Sequence, residues 1–450
     1  MADDTETQPS LRAAPVPPRP RAPADRSVSR VVADCRRLIS VRGDANSPML
    51  AHEILGRITA FSDEQRLKLF EHLAREFNPD PQQVLALAQA YADSHRAGNA
   101  ADALISLMRI AEPPRQELFR RLNRAPGGTG AIVQLRRALL DRLPRQPQLR
   151  ALEADLLHLL GSWFNPGFLQ LQKVSWDSPA QLLEQIIRHE AVHEVDGWDD
   201  LRRRLQPDRR CFAFFHPQLP AEPLIFVEVA LLPDMPGAIA PLIDKKTPVV
   251  PAEAFRVAAF YSISNCQPGL RGVSLGNFLI KRVAEELKRE LPQLKTFCTL
   301  SPIPGFVGWL TRLRDAGAQA GLAPGAAERA HQALAQLREA CGDELATTLT
   351  HAAKLAGLPG DAHHALWRLA AVYLVQGSPQ PNGDPVARFH LDNGARLERL
   401  NAQANLSHKG LKQSAGLMVN YLYDLSRIEA YHERFANGRV AHSRAISSLL

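Results

Sequence analysis

From about residue 30 to 165 the apolar positions return at helical spacing, one face at a time. Phe70, Leu73 and Phe77 make one such stripe. The "SDEQ" at 62–65 places a serine and a glutamine three residues apart ahead of it, the signature of a capping box, and "NPDP" at 78–81 closes the helix. Leu104, Leu107 and Ile110 form a second stripe that ends at "EPP". Leu135, Leu139, Leu140 and Leu143, then Leu152, Leu156, Leu159 and Leu160, carry two more, and the "PGGTG" at 126–130 reads as a loop. No internal repeat is strong enough to predict a solenoid. The expectation is a helical domain over 29–167 that serves packing or assembly.

The period changes after "WFNPGF" at 163–168. Strand-like runs follow: "CFAFFH" (211–216), "PLIFVEVALL" (223–232), "RVAAFYSIS" (256–264) and "LKTFCTLSPI" (294–303). A Pro-rich turn joins the first two as a hairpin. An amphipathic helix at 277–290 separates the last two, so strand, glycine turn, helix and strand form a crossover unit. Helical patterns return over about 324–377, and from 385 onward come short strands and helices. The fold class is therefore α+β, an all-helical N-terminal domain followed by a mixed α/β domain over 168–450. Residues 1–28 start acidic, turn Pro- and Arg-rich, and read as a disordered arm.

Composition narrows this picture without redrawing it. A chain of 450 residues with 45% apolar content calls for more than one domain and supports real cores. The formal charge of +7 is spread along the chain and suits an anionic small ligand. Only 6% of residues are aromatic and none interleave with a basic run, which argues against nucleic acid. Five scattered cysteines with no CxxC pair point to a reducing compartment and away from structural zinc. No segment reads as a secretory signal or reaches the ~20 apolar residues that span a bilayer. The expectation is a cytoplasmic protein without membrane contact.

Four segments have residue types suited to chemistry. The "HEAVH" at 189–193 matches the zinc-protease pattern, which needs both histidines on one helical face. "EVDGW" follows at once, "LRRRL" comes next, and no third ligand stands at a familiar spacing, so the alternative is a helix end with two surface or capping histidines. In "RGVSLG" at 271–276, between strand and helix, Gly272 and Gly276 let backbone N–H groups approach a diphosphate at a helix N-terminus, or the turn is simply a turn. In "LSPIPGF", Ser301 stands at a strand's carboxyl end, stiffened by two prolines, where α/β sheets place ligands; the alternative is a plain helix N-cap. His390 follows an aromatic residue and precedes an Asp-Asn-Gly turn, and Tyr421 and Tyr423 stand at i and i+2 in "GLMVNYLYDL".

The turn at 271–276 resembles the pyrophosphate turn of acetyltransferase-like (GNAT) folds. Together with "AVHEVDGWDDLRRRL", "FYSISNCQPGLRGVSLGNFLIKRV", "LSPIPGF", "FHLDNGARLERLNAQANLS" and "GLMVNYLYDL", in that order and spacing, it makes the chain resemble the malonyl-CoA decarboxylase family from about residue 40 onward. That resemblance implies a GNAT-fold catalytic domain that converts malonyl-CoA to acetyl-CoA and CO2 without metal or other cofactor. It implies Ser301 and His390 as catalytic residues, Tyr423 as an active-site tyrosine, and Arg271, Gly272, Val273, Ser274, Leu275, Gly276 and Asn277 as the substrate-binding loop. The helical domain, read as serving assembly, gives the further expectation of a homo-oligomer, dimer or tetramer. Animal members carry Glu where this chain has Ser274, and the chain ends "SSLL" rather than S-K-L. A CoA-dependent acyltransferase and a non-catalytic acyl-CoA sensor are the rival functions on the same fold.

Overall fold

The computed structural model of the chain describes residues 23–40, 47–96, 98, 100–273, 275, 279–316 and 322–450. The chain divides into two compact units, Met1–Leu159 and Leu160–Leu450. The first is helical: α1 (Pro23–Ile39), α2 (Ser47–Thr59), α3 (Asp63–Glu76), α4 (Pro81–Arg96), α5 (Ala101–Ala111), α6 (Pro114–Asn123), α7 (Gly128–Leu140) and α8 (Arg150–Trp163), which runs across the boundary. Helix α1 begins inside the stretch expected to be a disordered arm. Val28, Val31, Val32, Cys35 and Leu38 give it a buried apolar face, which outweighs the Pro-rich composition upstream.

The capping box is present at α3. Gln65 N–H donates to Ser62 Oγ at 3.3 Å, and Ser62 N–H donates to Gln65 Oε1 at 2.9 Å. Leu69, Phe70 and Leu73 then bury their side chains. No residue of α4 or α5 is buried, so the stripe at Leu104, Leu107 and Ile110 is not core; the two helices pack on each other and expose Leu85, Ile105 and Met108. The expected loop at 126–130 is half wrong. Gly127 turns the chain at φ 73°, but Gly128, Thr129 and Gly130 already form the first turn of α7. Gly128 is required there by contact: a Cβ would stand 2.3 Å from the carbonyl oxygen of Leu122.

The second unit holds one eight-stranded sheet in the order β1-β2-β3-β4-β5-β8-β6, with β7 also paired to β8. Its strands are β1 (Gln170–Val174), β2 (Arg209–Phe215), β3 (Ile225–Leu232), β4 (Val257–Asn265), β5 (Thr296–Thr299), β6 (Ser301–Pro302), β7 (Arg396–Asn401) and β8 (Met418–Leu422). The β2–β3 hairpin is as expected; β1, at the edge with mostly exposed residues, has too little apolar pattern to be read. All pairings are antiparallel except β4 with β5, which α12 (Leu279–Glu290) joins as the crossover. Helix α12 buries Leu279, Ile280, Val283, Ala284 and Leu287 along one stripe.

The remaining helices are α9 (Ala180–His189), α10 (Gly197–Arg204), α11 (Ala240–Ile243), α13 (Phe306–Ala316), α14 (Pro324–Cys341), α15 (Leu345–Thr350), α16 (Ala352–Ala356), α17 (Gly360–Val372), α18 (Pro385–Asp392), α19 (His408–Ser414), α20 (Ile428–Ala436) and α21 (Arg444–Ser447). The segment between α9 and α10 is tied down by buried charge. Arg204 donates to Asp200 Oδ1 and Glu228 Oε2 at 3.0 Å each, and to the Glu194 carbonyl at 3.0 Å. Glu190 accepts the N–H groups of Val192 and His193 at 2.8 Å each and the hydroxyl of Ser262 at 2.6 Å. Burial raises the Glu228 carboxyl to about 7, while burial and the nearby cations of Arg204 and Lys409 lower His193 to about 3.

Two predictions concern stability. Gly128→Ala forces backbone apart and should cost about 1–3 kcal/mol, whereas Gly161→Ala, in α8 with open space around it, should gain about 0.5–1 kcal/mol; chemical-denaturation midpoints distinguish the two. His193 binds its proton more readily in the unfolded chain, near the usual 6.5, than in the fold, near 3, so stability falls as pH drops through that window. Glu228 acts oppositely, losing stabilisation as pH rises from 4.5 through about 7. His193→Gln should therefore flatten the acid limb of a midpoint-against-pH curve.

Candidate active site

The chain switches neighbours at Ser301, and that switch forms the site. Strand β5 runs parallel to β4 from Val257↔Thr296 to Phe260↔Thr299, and Leu300 N–H still donates to the Phe260 carbonyl at 3.0 Å. One residue later Ser301 pairs with Val419 of β8 instead. The pairing with β8 runs on only to Pro302↔Met418, where Pro302 and Pro304 supply no N–H to extend it. Ser301 is buried in β6 and does not cap α13, which begins five residues later at Phe306. Both β4 and β5 end on this edge of the sheet, where the turn from β4 into α12 also lies.

His390 arrives from α18. Asp384 Oδ1 accepts the N–H groups of Val386 and Ala387 at 3.0 and 3.1 Å, with Pro385 at the first helical position. One turn on, His390 is buried with Ala387 and Leu391. Its Nε2 lies 3.0 Å from Ser301 Oγ and its Nδ1 2.9 Å from the Tyr423 hydroxyl. The imidazole stacks on Tyr421, centroids 4.7 Å apart and planes at 27°. Tyr421 and Tyr423 share one side of the β8 run, and Tyr423 N–H donates to the Phe297 carbonyl of β5 at 2.8 Å.

The same Asp384 braces the other half of the site. Its Oδ2 accepts Gly305 N–H at 2.9 Å and the Tyr373 hydroxyl at 3.3 Å. One carboxylate thus holds the helix carrying His390 and the turn following Ser301. Gly305 must lack a side chain, since a Cβ would stand 2.2 Å from the Tyr373 oxygen. Ser301 and His390 open into a cavity of about 290 Å³ whose walls include Val192, Phe260, Ile263, Pro302, Val386 and Phe389. A β-bulge at Tyr261, between Val229↔Phe260 and Glu228↔Ser262, shapes one wall.

The site is electrically quiet. Burial lowers His390 to about 3, so the imidazole is neutral at physiological pH, and burial pushes the Tyr421 and Tyr423 hydroxyls well above their ordinary range. Neutral donors and acceptors in an apolar cavity suit a reaction that disperses the charge of its substrate.

The other candidates fall as follows. Gly272, at φ 82°, takes the left-handed conformation a glycine allows. Arg271 and Gly272 are exposed, while Val273 and Leu275 are buried and pin the turn. Ser274, Gly276 and Asn277 lie outside the described residues. In "HEAVH" the helix stops at His189, so the two histidines do not share a helical face. His193 is buried rather than a surface or capping residue, because Glu190 folds the chain inward by accepting its N–H. Among the described residues no cluster of three His, Cys, Asp or Glu side chains could hold a metal ion. Thr299 and Asp384 escaped notice in the sequence. An Asp-Pro pair ahead of a helical stripe signals the Asp384 cap, and the i, i+2 spacing to Ser301 places Thr299 on its face.

Comparison with known proteins places both parts of the chain in one family. Residues 167–450 match the malonyl-CoA decarboxylase C-terminal domain, and residues 77–164 match the N-terminal domain of the same enzymes. The mitochondrial malonyl-CoA decarboxylase of Anser anser anser is 38% identical over 376 residues, covering 80% of this chain and 75% of that protein. The Rattus norvegicus enzyme is 38% identical over 379 residues, covering 80% and 76%. The crystal structure of malonyl-CoA decarboxylase from Rhodopseudomonas palustris superposes with a TM-score of 0.81 at 46% identity, covering 94% of this chain and 99% of that one. The Agrobacterium vitis structure gives 0.80 at 44%, covering 93% and 99%. With both domains matched and the resemblance running through the residues that line the cavity, the chain belongs to the malonyl-CoA decarboxylase family and is a carboxy-lyase.

Proposed function

We propose that this enzyme decarboxylates malonyl-CoA to acetyl-CoA and CO2 with Ser301 and His390 as its catalytic pair. The observation that carries the reading is the unbroken line from Ser301 Oγ through His390 to the Tyr423 hydroxyl, contacts of 3.0 and 2.9 Å between three distant segments, with Ser301 and His390 at the wall of one cavity. Loss of CO2 leaves an enolate whose charge rests largely on the thioester oxygen, and C2 then takes up a proton drawn ultimately from solvent. Ser301 engages the malonyl carboxylate or thioester carbonyl, and His390 supplies the C2 proton. Tyr423 fixes the imidazole from its far side. The apolar walls favour the neutral product CO2 over the carboxylate from which it forms.

The loop at 271–277 anchors the CoA diphosphate and so holds the thioester in place, which converts the reaction to one of a fixed reactant. The position of Arg271 and Gly272 beyond the carboxyl end of β4 and the left-handed conformation of Gly272 support this role. Neither metal nor other cofactor takes part. The exposed apolar residues Leu85, Ile105 and Met108 support self-association through the helical unit. Among the described residues no helix is long and apolar enough to cross a membrane.

Purified protein given malonyl-CoA and no acceptor should release CO2 and acetyl-CoA in equal amounts; an acyltransferase or a sensor would not. Ser301→Ala and His390→Asn should each lower kcat by about 10²–10⁴, and a variant with near-native kcat would remove that residue from the pair. Gly305→Ala, which drives Tyr373 off Asp384, should lower kcat by about 10² while CoA binding, followed by calorimetry, changes little. Exhaustive chelation should leave the rate untouched.

A further inference from the structure

The hydroxyl line continues past Ser301 to a residue without an assigned role. Thr299 is fully buried and two residues from Ser301, on the same side of the strand. Ser301 Oγ donates its hydrogen to Thr299 Oγ1 at 2.9 Å. Thr299 Oγ1 also accepts the N–H of Tyr421 at 3.1 Å, which leaves its second lone pair for the Ser301 hydrogen. A serine hydroxyl has one hydrogen only. With that hydrogen on Thr299, Ser301 can meet His390 Nε2 at 3.0 Å only by accepting, so Nε2 carries a hydrogen. A neutral imidazole with hydrogen on Nε2 has a bare Nδ1. That atom faces the Tyr423 hydroxyl at 2.9 Å, which donates to it.

Every bond in the line therefore has a direction: Tyr423 to His390, His390 to Ser301, Ser301 to Thr299. We propose that Thr299 is a positioning residue that holds the Ser301 hydrogen away from His390 and so sets His390 as a hydrogen donor to Ser301 rather than a base toward it. The inference rests on the Ser301–His390 reading and deepens it. It excludes an acyl-serine route, because the base that would deprotonate Ser301 already carries hydrogen on the facing nitrogen. It also gives Tyr423 a defined task, which is to select the tautomer.

The test combines spectroscopy with two variants. In ¹⁵N-histidine-labelled wild type, His390 should show its hydrogen on Nε2 and a bare Nδ1 across the neutral range. Thr299→Val removes the acceptor and releases the Ser301 hydrogen toward Nε2. It should shift the tautomer to Nδ1–H, lower kcat by about tenfold to 10²-fold with little change in KM, and make Ser301 newly reactive to a fluorophosphonate that leaves wild type unlabelled. Thr299→Ser restores an acceptor and should recover kcat to within about threefold of wild type. Hydrogen on Nδ1 in wild type overturns the proposal, a result that needs no variant to fold. So do Thr299→Val with unchanged tautomer and kcat, and ready labelling of wild-type Ser301. If Ser301→Ala and His390→Asn, assayed alongside, keep full activity, the underlying pair has failed; if they lose it while Thr299→Val does not, only the role of Thr299 has.

Discussion

The candidate site depends on one buried carboxylate. Asp384 offers one oxygen to the first turn of α18 and the other to the backbone of Gly305, and everything between Ser301 and His390 is measured from those two grips. A carboxylate accepting three backbone N–H groups and a tyrosine hydroxyl is fully occupied, and each of those bonds is charge-assisted. Burial raises its pKa and the bonds lower it, with burial prevailing. The residues that line the cavity can thus stay neutral, because the charge that organises them is kept one layer behind.

A second layer does the same for the opposite wall. Glu190 and Arg204 clamp the segment that places Val192 at the cavity, one to β4 through Ser262 and the other to β3 through Glu228. Such buried ionic ties add little net stability, since desolvation offsets most of the attraction. Their use here is geometric: each carboxylate or guanidinium spans two elements that no backbone ladder joins. Charged residues hold the walls, and mainly apolar side chains face the cavity.

Much of this was legible in the sequence, and the limits have physical causes. The capping box at Ser62, the β2–β3 hairpin and the strand–turn–helix–strand crossover follow from local rules, which the fold obeys. Ser301 and His390 could be proposed because their segments resemble a known family; no local rule brings them within 3.0 Å. The α4–α5 stripe misled because amphipathic spacing shows that a face is apolar, not that anything covers it. The "PGGTG" segment misled because Gly128 is small to suit the Leu122 carbonyl rather than to make a turn. "HEAVH" invited a helical reading that the Glu190 carboxylate overrides by capturing two following N–H groups. Thr299 was invisible because its importance lies in the direction of one hydrogen, which no residue pattern encodes.

Strand β8 is the last of the sheet in the chain yet lies inside it, between β5 and the β6 and β7 strands. It carries Tyr421 and runs directly into Tyr423, the two tyrosines that touch His390. On the ribosome, then, Ser301 is made well before the strand that completes its surroundings, by an interval on the order of ten seconds at ordinary rates of synthesis. Until β8 inserts, β5 has an open edge and the imidazole has neither its stacking partner nor its hydrogen donor. A nascent chain can bury most of its core and still be inert. Catalytic competence and closure of the exposed edge are therefore reached in the same folding event, so a chain truncated before this strand would lose both at once.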